Sequence, residues 1–123
     1  MSGGERKILG RWGEEVAAEF LKRKGYRLLS AGWSCRFGEI DLILRDGNFL
    51  VFVEVKLRKN AAFAQAREFV DARKQNRLRT TAQLYLSCYP KELQPRFDVV
   101  EVYAPQGVHT EKPEIYHWEN AFE

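Results

Sequence analysis

The segment that most restricts the fold is GEIDLILRDGNFLVFVEVKLR, residues 38–58, which holds two apolar runs separated by RDGN. Short runs rich in Val, Ile, Leu and Phe on either side of a glycine-containing turn predict a β-hairpin. A two-residue loop on Asp46 and Gly47, or a four-residue loop over all of RDGN, gives the same register. In that register Glu39 lies directly opposite Glu54.

Strand alternation divides this predicted hairpin into two faces. One face is entirely apolar and consists of Ile40, Leu42, Leu44, Phe49, Val51, Val53, Val55 and Leu57. The other face is apolar near the turn and charged toward the open end, in the order Ile43, Leu50 and Phe52, then Glu39, Asp41, Glu54, Lys56 and Arg58. A strand that is apolar on one face and half apolar on the other is typical of a central strand covered on both sides.

The acidic residues of the second face, Glu39, Asp41 and Glu54, are close enough to repel one another. Two explanations remain open. Lys56 and Arg58 offset the charges in an ordinary surface salt network, in which each pair contributes little to stability, or a divalent metal holds the carboxylates together. Carboxylate oxygens suit Mg²⁺ or Mn²⁺ better than zinc. The pattern therefore predicts a candidate metal site at the end of the strand pair.

The whole chain of 123 residues is expected to form one α/β domain. ERKILGRWGEEVAAEFLKRKGY has the apolar spacing of an amphipathic helix, and YRLLSAGWS predicts a strand. A second helix is expected from about Gln65 to Ser87, followed by a strand in RFDVVEV, residues 96–102. That strand can return parallel to an earlier one, which gives a mixed sheet. The tail, residues 104–123, holds a candidate edge strand at EIYHW.

Charge is distributed unevenly along the chain, although the net charge is only +3. Residues 56–79 contain eight basic and two acidic residues, whereas residues 98–123 contain one lysine and six acids. A basic block beside a carboxylate cluster is typical of proteins that act on nucleic acid, but a charged helix face is also often only a solvated face. Asp98, in the apolar run of RFDVVEV, is predicted to be structural and to pair with an arginine.

Several classes of protein are not indicated by the sequence. The longest apolar runs, such as residues 49–53, are far too short to span a bilayer, and residues 1–11 lack the apolar core of a signal peptide. Cys35 and Cys88 have no CxxC or Cys/His spacing, so neither a disulfide framework nor a zinc site is predicted. We expect a cytoplasmic protein without a membrane partner.

Asp41 is followed, after twelve intervening residues, by Glu54, Val55 and Lys56, and this arrangement resembles the core motif of the PD-(D/E)xK nuclease superfamily. Four pieces more closely resemble the YraN family of bacterial predicted endonucleases: GEEVAAEFLKRKGY, GEIDLILRDGNFLVFVEVKLR, ARKQNRLRTTAQLYL and RFDVV. That family is related to archaeal Holliday-junction resolvases. The pieces cover most of residues 10–102, and Ile40 stands where the superfamily name has proline.

The resemblance implies a restriction-endonuclease-like sandwich, a mixed central sheet flanked by helices with an αβββαβ core over about residues 5–103. It also implies a Mg²⁺- or Mn²⁺-dependent endonuclease that hydrolyses phosphodiester bonds in structured or branched DNA. Asp41 and Glu54 would be metal ligands, and Lys56 would stand beside the attacking water. The family's helix glutamate is best matched by Glu14. Periodicity alone leaves Glu14 and Glu15 open, because they lie at opposite edges of the helix's apolar arc.

Four cations are candidates for contacts with nucleic-acid phosphates, namely Arg58, Lys59, Lys74 and Arg77. Lys74 and Arg77 share the arc of the second helix that is expected to face the sheet, where cations either snorkel to solvent or meet phosphate. The alternative function is a non-catalytic nucleic-acid-binding module that retains the nuclease fold, and a third is a protein-interaction domain that uses the acidic tail. A homodimer would suit cleavage of a two-fold symmetric junction.

Overall fold

The computed structural model describes residues 3–59, 70–89 and 92–123. Its helices and strands are, in chain order, α1 (Gly3–Arg23), β1 (Arg27–Cys35), β2 (Gly38–Asp46), β3 (Phe49–Arg58), α2 (Ala72–Cys88), β4 (Gln94–Tyr103) and β5 (Glu114–Phe122). A 3-10 turn, Gly107–His109, lies between the last two strands. The structure is α/β and compatible with a restriction-endonuclease-like sandwich. The predicted order of helix, three strands, helix and strand is confirmed.

The five strands lie side by side in chain order. β1, β2 and β3 pair antiparallel, β3 and β4 pair in parallel, and β5 returns antiparallel along β4. A parallel pair needs a crossover connection, and α2 belongs to the connection that supplies it. The predicted mixed sheet is therefore confirmed, and the edge strand expected at EIYHW extends over the longer segment Glu114–Phe122.

The two helices cover opposite faces of the sheet. The cluster on the α1 side consists of Ala17, Ala18, Leu21, Tyr26, Leu42, Leu44, Val51, Val53, Val100 and Val102. The cluster on the α2 side consists of Ile40, Ile43, Leu50, Phe52, Leu78, Ala82 and Tyr85. β3 contributes buried side chains to both clusters, as expected of a central strand. Within the described residues, neither helix is long and apolar enough to cross a membrane.

A glycine sets the distance between α1 and the sheet. A Cβ atom on Gly13 would lie 2.8 Å from Cδ2 of Leu57 on β3, which is too close for an ordinary contact. Glycine therefore permits α1 to approach the end of β3 closely. Because Glu14 follows directly, the same contact brings the polar side of α1 toward the acidic end of the hairpin.

α2 begins later than predicted. Asp71 has extended backbone angles, and its carboxylate accepts a hydrogen bond from the backbone N–H of Lys74 at 2.9 Å, which makes Asp71 the N-cap residue. Asp71 is not helical, so the predicted helix does not run through this residue, but a second helix that reaches Ser87 and ends before Pro90 is confirmed. The predicted start near Gln65 lies outside the described residues.

The β2–β3 hairpin register differs from the prediction by two residues. Asp46 pairs with Phe49, so the loop consists of Gly47 and Asn48. Gly47 has a φ of 59°. A two-residue hairpin loop of the favoured kinds needs positive φ at its first position, and glycine adopts that conformation without strain.

The shift changes the neighbours of the acidic residues, and the predicted pairing of Glu39 with Glu54 is wrong. Because the shift is even, side chains keep their predicted faces as far as Leu42, which forms the last pair of the ladder with Val53. Beyond this pair the alternation fails. Ile40, predicted on the face of Leu42, packs in the cluster on the α2 side.

Asp98 is completely buried and holds β5 against β4. Its carboxylate accepts hydrogen bonds from Arg96 Nε at 2.9 Å and Nη2 at 3.0 Å, from His117 Nε2 at 2.7 Å and from the backbone N–H of Asn120 at 2.9 Å. The predicted pairing with an arginine is confirmed.

Candidate metal centre

Asp41 lies where β2 leaves its ladder with β3. The last pair of the ladder is Leu42 and Val53, and just beyond it the backbone N–H of Val55 donates to Asp41 Oδ2 at 2.8 Å. In a regular ladder, the N–H of Val55 would donate to a backbone carbonyl of β2. Here the Asp41 carboxylate takes the place of that carbonyl. This hydrogen bond orients the Asp41 carboxylate toward β3.

Glu54 is buried within β3, with 6% of the residue exposed. Lys74 Nζ, on α2, lies 2.9 Å from Glu54 Oε2, and the lysine side chain is partly open to solvent. The contact is an ion pair without good hydrogen-bond direction, because Glu54 Oε2 has no hydrogen-bond partner among the described residues. The buried carboxylate is therefore only partly compensated.

The carboxyls of Asp41 and Glu54 are neighbours that influence each other's ionisation. Burial and the contact with Glu54 raise the pKa of the Asp41 carboxyl well above its ordinary value. Burial also acts to raise the pKa of Glu54, but the hydrogen bond from Asp41 and the ammonium of Lys74 lower it overall. Asp41 is half-buried and Glu54 is buried, and two neighbouring carboxyls with so little access to water ionise together only at high cost.

Glu14 and Glu39 extend the acidic cluster from two further positions. One carboxylate oxygen from each of Glu14, Glu39 and Asp41 lies within 4.8 Å of the others. Burial, followed by the charges of Glu39 and Glu54, raises the pKa of Glu14. Glu15 is exposed and does not belong to this group. Of the two helix glutamates that periodicity left open, the structure brings Glu14 to the cluster.

The donor set fits a divalent cation. Glu14, Glu39 and Asp41 are the residues whose carboxylate oxygens come together. Glu54, the remaining predicted ligand, neighbours Asp41 but lies outside this group of three. All offer oxygen, which suits Mg²⁺ or Mn²⁺. Glu54 Oε2 lacks a hydrogen-bond partner among the described residues, and the proximity of Glu54 raises the pKa of Asp41. A dication would compensate both features at once.

Two concave surfaces meet the acidic cluster. A cavity of about 180 Å³ is lined by Gly38, Glu39, Asp41, Glu54, Lys74, Arg77, Leu78 and Thr81. A larger groove of about 740 Å³ runs between α1 and β1 and shares Glu14 and Glu39 with the cluster. Two of the four predicted phosphate-binding cations, Lys74 and Arg77, therefore border the carboxylates.

The remaining predicted site residues follow Glu54 along β3. Lys56 is half-buried, and its charge contributes to the lowered pKa of Glu54. Arg58 Nε donates to the buried carboxylate of Glu101 at 3.1 Å, so part of its guanidinium is held by β4. Lys59 is exposed directly after the strand ends.

Two features of the cluster were not predicted. Glu39 was expected opposite Glu54, whereas its carboxylate groups with those of Glu14 and Asp41. Lys74 was expected to contact phosphate, and its ion pair with Glu54 was not foreseen. The signal for Lys74 was present, because its helical position placed it on the side of α2 that faces the sheet.

Comparison with known proteins identifies relatives of nearly the whole chain. Residues 13–102 match the model of a family described as Uncharacterised protein family UPF0102. The chain is 44% identical over 119 residues to UPF0102 protein TTE1452 of Caldanaerobacter subterraneus subsp. tengcongensis, covering 95% of this chain and 96% of the relative. It is 45% identical to a UPF0102 protein of Pelotomaculum thermopropionicum, covering 95% and 97%. A UPF0102 protein of Stutzerimonas stutzeri is also 45% identical, covering 82% and 86%.

Proposed function

We propose that this chain, which belongs to the UPF0102 or YraN family, is a metal-dependent nuclease that hydrolyses phosphodiester bonds in DNA. The family resemblance expected from its motifs is confirmed. The observation that carries the proposal is the pair of neighbouring carboxyls of Asp41, which is half-buried, and Glu54, which is buried. Such a pair is costly to keep in a fold unless a cation joins it during function.

Glu14, Asp41 and Glu54 are the residues that would hold the metal, with Glu39 on the exposed side. The chemistry that a divalent cation supplies when bound is Lewis-acid polarisation of the scissile phosphate. Lys56 lies on the Glu54 face of β3, where its ammonium can orient the attacking water or stabilise charge that develops on the phosphate.

Structured or branched DNA is the proposed substrate. Lys74 and Arg77 border the cavity, Arg58 ends β3 and Lys59 follows it directly, so cations flank the carboxylates on two sides. Such cations neutralise backbone phosphates without reading sequence. The preference for branched DNA rests on the likeness of the motifs to relatives of Holliday-junction resolvases. A homodimer would match the two-fold symmetry of a junction.

A non-catalytic nucleic-acid-binding module is the second candidate. The Lys74–Glu54 ion pair favours it, because an internal ammonium already offsets part of the charge that a metal would neutralise. In this alternative the carboxylates have no role in chemistry, and binding depends on the cations alone.

Calorimetric titration with Mn²⁺ tests the proposed metal site. We expect the wild-type protein to bind Mn²⁺, and Asp41→Asn and Glu54→Gln to lose binding while circular dichroism shows a native fold. The matched control is Glu15→Gln, which changes an exposed glutamate beside Glu14 and should bind as the wild type does. Cleavage of flaps, forks and four-way junctions is then measured with Mg²⁺. Absence of both Mn²⁺ binding and cleavage would favour the non-catalytic module.

A further inference from the structure

The sheet face that carries Glu54 continues across β4 to β5. Glu54 pairs with Val99, and Val99 pairs with Trp118. Directly paired residues project to the same face of a sheet, so Trp118 lies on the Glu54 face, two strand spacings or about 10 Å away. The next row along the strands is Lys56, Glu101 and Tyr116.

Glu101 is a buried carboxylate that fixes two neighbours. It is 1% exposed, and its two oxygens accept hydrogen bonds from Arg58 Nε at 3.1 Å and from Trp118 Nε1 at 2.8 Å. A buried carboxylate is tolerated when such donors satisfy it. Glu101 therefore fixes the guanidinium of Arg58 with one oxygen and the indole of Trp118 with the other.

The aromatic rings of this face remain partly open to solvent. Trp118 is 39% exposed and Tyr116 is 47% exposed. The ring of Tyr116 lies 5.4 Å from that of Tyr103 in an edge-to-face contact. Side chains this exposed are not fully packed into the core, and part of each is accessible to solvent on the face that carries Lys56.

We propose that this aromatic face binds the unpaired bases of a single-stranded nucleic-acid segment, with Trp118 and Tyr116 as stacking surfaces and Arg58 and Lys56 toward its phosphates. Aromatic platforms combined with cations are the usual means of holding single strands, because every base has a face that can stack. The aromatic face adjoins the acidic cluster, because Glu54 and Trp118 lie on the same side of the sheet. The inference deepens the proposed function, and it rests on that function for the assignment of the cluster as the cleavage site.

A merely structural role for Trp118 is the competing explanation. In that case the Glu101 hydrogen bond ties β5 to the sheet, and replacing Trp118 lowers stability without a specific loss of binding. The two explanations differ in which ligand is affected, because stacking needs unpaired bases whereas phosphate contacts serve duplex and single strand alike.

Fluorescence can observe Trp118 directly. The chain has three tryptophans, so the double substitution Trp12→Phe and Trp33→Phe leaves Trp118 as the reporter. Oligo-deoxythymidine is titrated into this protein in EDTA, which makes the result independent of metal and cleavage. We expect saturable quenching of the Trp118 emission by the single strand and little by a blunt duplex of equal charge.

Binding of labelled oligo-deoxythymidine is then compared among variants whose fold is checked by circular dichroism. Trp118→Leu should weaken single-strand binding about tenfold and leave duplex binding nearly unchanged. Tyr116→Leu provides a second test that does not remove the Glu101 hydrogen bond. The matched control is Phe49→Leu, since Phe49 is also 39% exposed but lies at the opposite end of β3.

The outcomes separate this inference from the proposed nuclease activity. Quenching together with selective loss in Trp118→Leu supports the single-strand site even if Mn²⁺ titration and cleavage assays fail. The inference is overturned if Trp118→Leu and Tyr116→Leu bind the single strand as Phe49→Leu does, or if they weaken duplex binding equally. Either of these results would overturn it even in a protein with full Mg²⁺-dependent cleavage.

Discussion

The backbone N–H of Val55 donates to the carboxylate of Asp41 at 2.8 Å, across the point where β2 and β3 stop pairing. The Asp41 carboxylate thus accepts a backbone N–H of β3 that no longer has a carbonyl partner on β2. The same contact directs Asp41 toward Glu54, which precedes Val55 on β3. The end of the β2–β3 ladder thus places the carboxyls of Asp41 and Glu54 next to each other. A substitution at Asp41 that keeps an acceptor oxygen can preserve the hydrogen bond from Val55.

Asp41→Asn should separate folding from activity. The amide oxygen can still accept the hydrogen bond from Val55, and the cost of ionising two neighbouring carboxyls is removed, so we expect stability within about 1 kcal/mol of wild type or above it. Mg²⁺-dependent cleavage should fall by about 100-fold or more, because a ligand is lost. Urea denaturation and cleavage of a branched DNA measure the two effects. Binding of DNA in EDTA should be unchanged or tighter, because one acidic group facing phosphate is gone.

Full cleavage activity in Asp41→Asn would contradict the assigned role. The role would also be contradicted if Asp41→Asn were largely unfolded and its folded fraction cleaved DNA as the wild type does. That result would identify the Asp41 carboxyl as part of a structural network.

Lys74→Met should make folding depend on metal. Removing the ammonium leaves Glu54 buried without its cation, and we expect a loss of about 1 to 2 kcal/mol in metal-free buffer, less than for a fully buried pair because Lys74 is partly exposed. Mn²⁺ should restore much of this loss by ligand linkage. Thermal unfolding with and without Mn²⁺ measures both effects.

Arg73→Met is the matched control, because Arg73 is an exposed cation one residue before Lys74 and does not line the cavity that Glu54 and Lys74 share. Equal unfolding temperatures for the two variants in metal-free buffer would show that Lys74 does not stabilise Glu54. DNA binding should also weaken in Lys74→Met, with a shallower dependence on salt.

Periodicity predicted the elements of this fold well because each has an apolar face that must be buried. α1, the hairpin strands and β4 all follow from such spacing. The hairpin register did not follow, because the Asp46-Gly47 pair is itself a common turn sequence. The chain instead places Gly47 at the first loop position, where positive φ is needed. Local turn preference cannot distinguish these two alternatives.

In the candidate site, too, residues within one hairpin could be predicted from the sequence, whereas contacts between distant elements could not. Asp41, Glu54 and Lys56 could be named from strand alternation and motif spacing within one hairpin. Grouping Glu14 with Glu39 could not, because it depends on how closely α1 approaches the sheet at Gly13. Contacts between elements distant in the chain carry no local periodicity.

Asp98 should dominate the loss of stability in acid. Burial acts to raise its pKa, but the hydrogen bonds from His117, Arg96 and Asn120 lower it overall. A carboxyl whose folded-state pKa is lowered stabilises the protein above its unfolded-state pKa, near 3.8, and this stabilisation is lost as pH falls through the folded-state pKa. We therefore expect the free energy of unfolding to fall steeply below about pH 4 in the wild type.

Asp98→Asn should cost about 3 kcal/mol at pH 7, because the buried guanidinium of Arg96 loses its anion, and should flatten the pH dependence. Asp46→Asn is the control. Asp46 accepts from Arg96 Nη1 at 3.1 Å but has a side chain that is 39% exposed, so its loss should be much smaller. Urea denaturation across a pH series measures both variants, and equal pH profiles would contradict the assignment to Asp98.

Two glycines of α1 should respond to alanine with opposite signs. Apart from its chain neighbours and the nearby backbone of α1, no atom of the described residues lies within 4 Å of a Cβ atom placed on Gly10. Gly10→Ala should therefore raise the free energy of unfolding by about 0.5 to 1 kcal/mol through its helix preference. Gly13→Ala should lower it by about 1 kcal/mol, since the new methyl group would lie 2.8 Å from Leu57 Cδ2 and overpacking outweighs the helical gain.

Gly13→Ala should also weaken Mn²⁺ binding, because moving α1 away from β3 moves Glu14 away from Asp41. The clash with Leu57 predicts a coupling: in a Leu57→Ala background, where the crowding atoms are gone, Gly13→Ala should no longer destabilise. Urea denaturation of the four proteins in this cycle measures the coupling. Equal stabilisation by alanine at both glycines would show that α1 does not depend on close contact with β3, and the position of Glu14 would then need another cause.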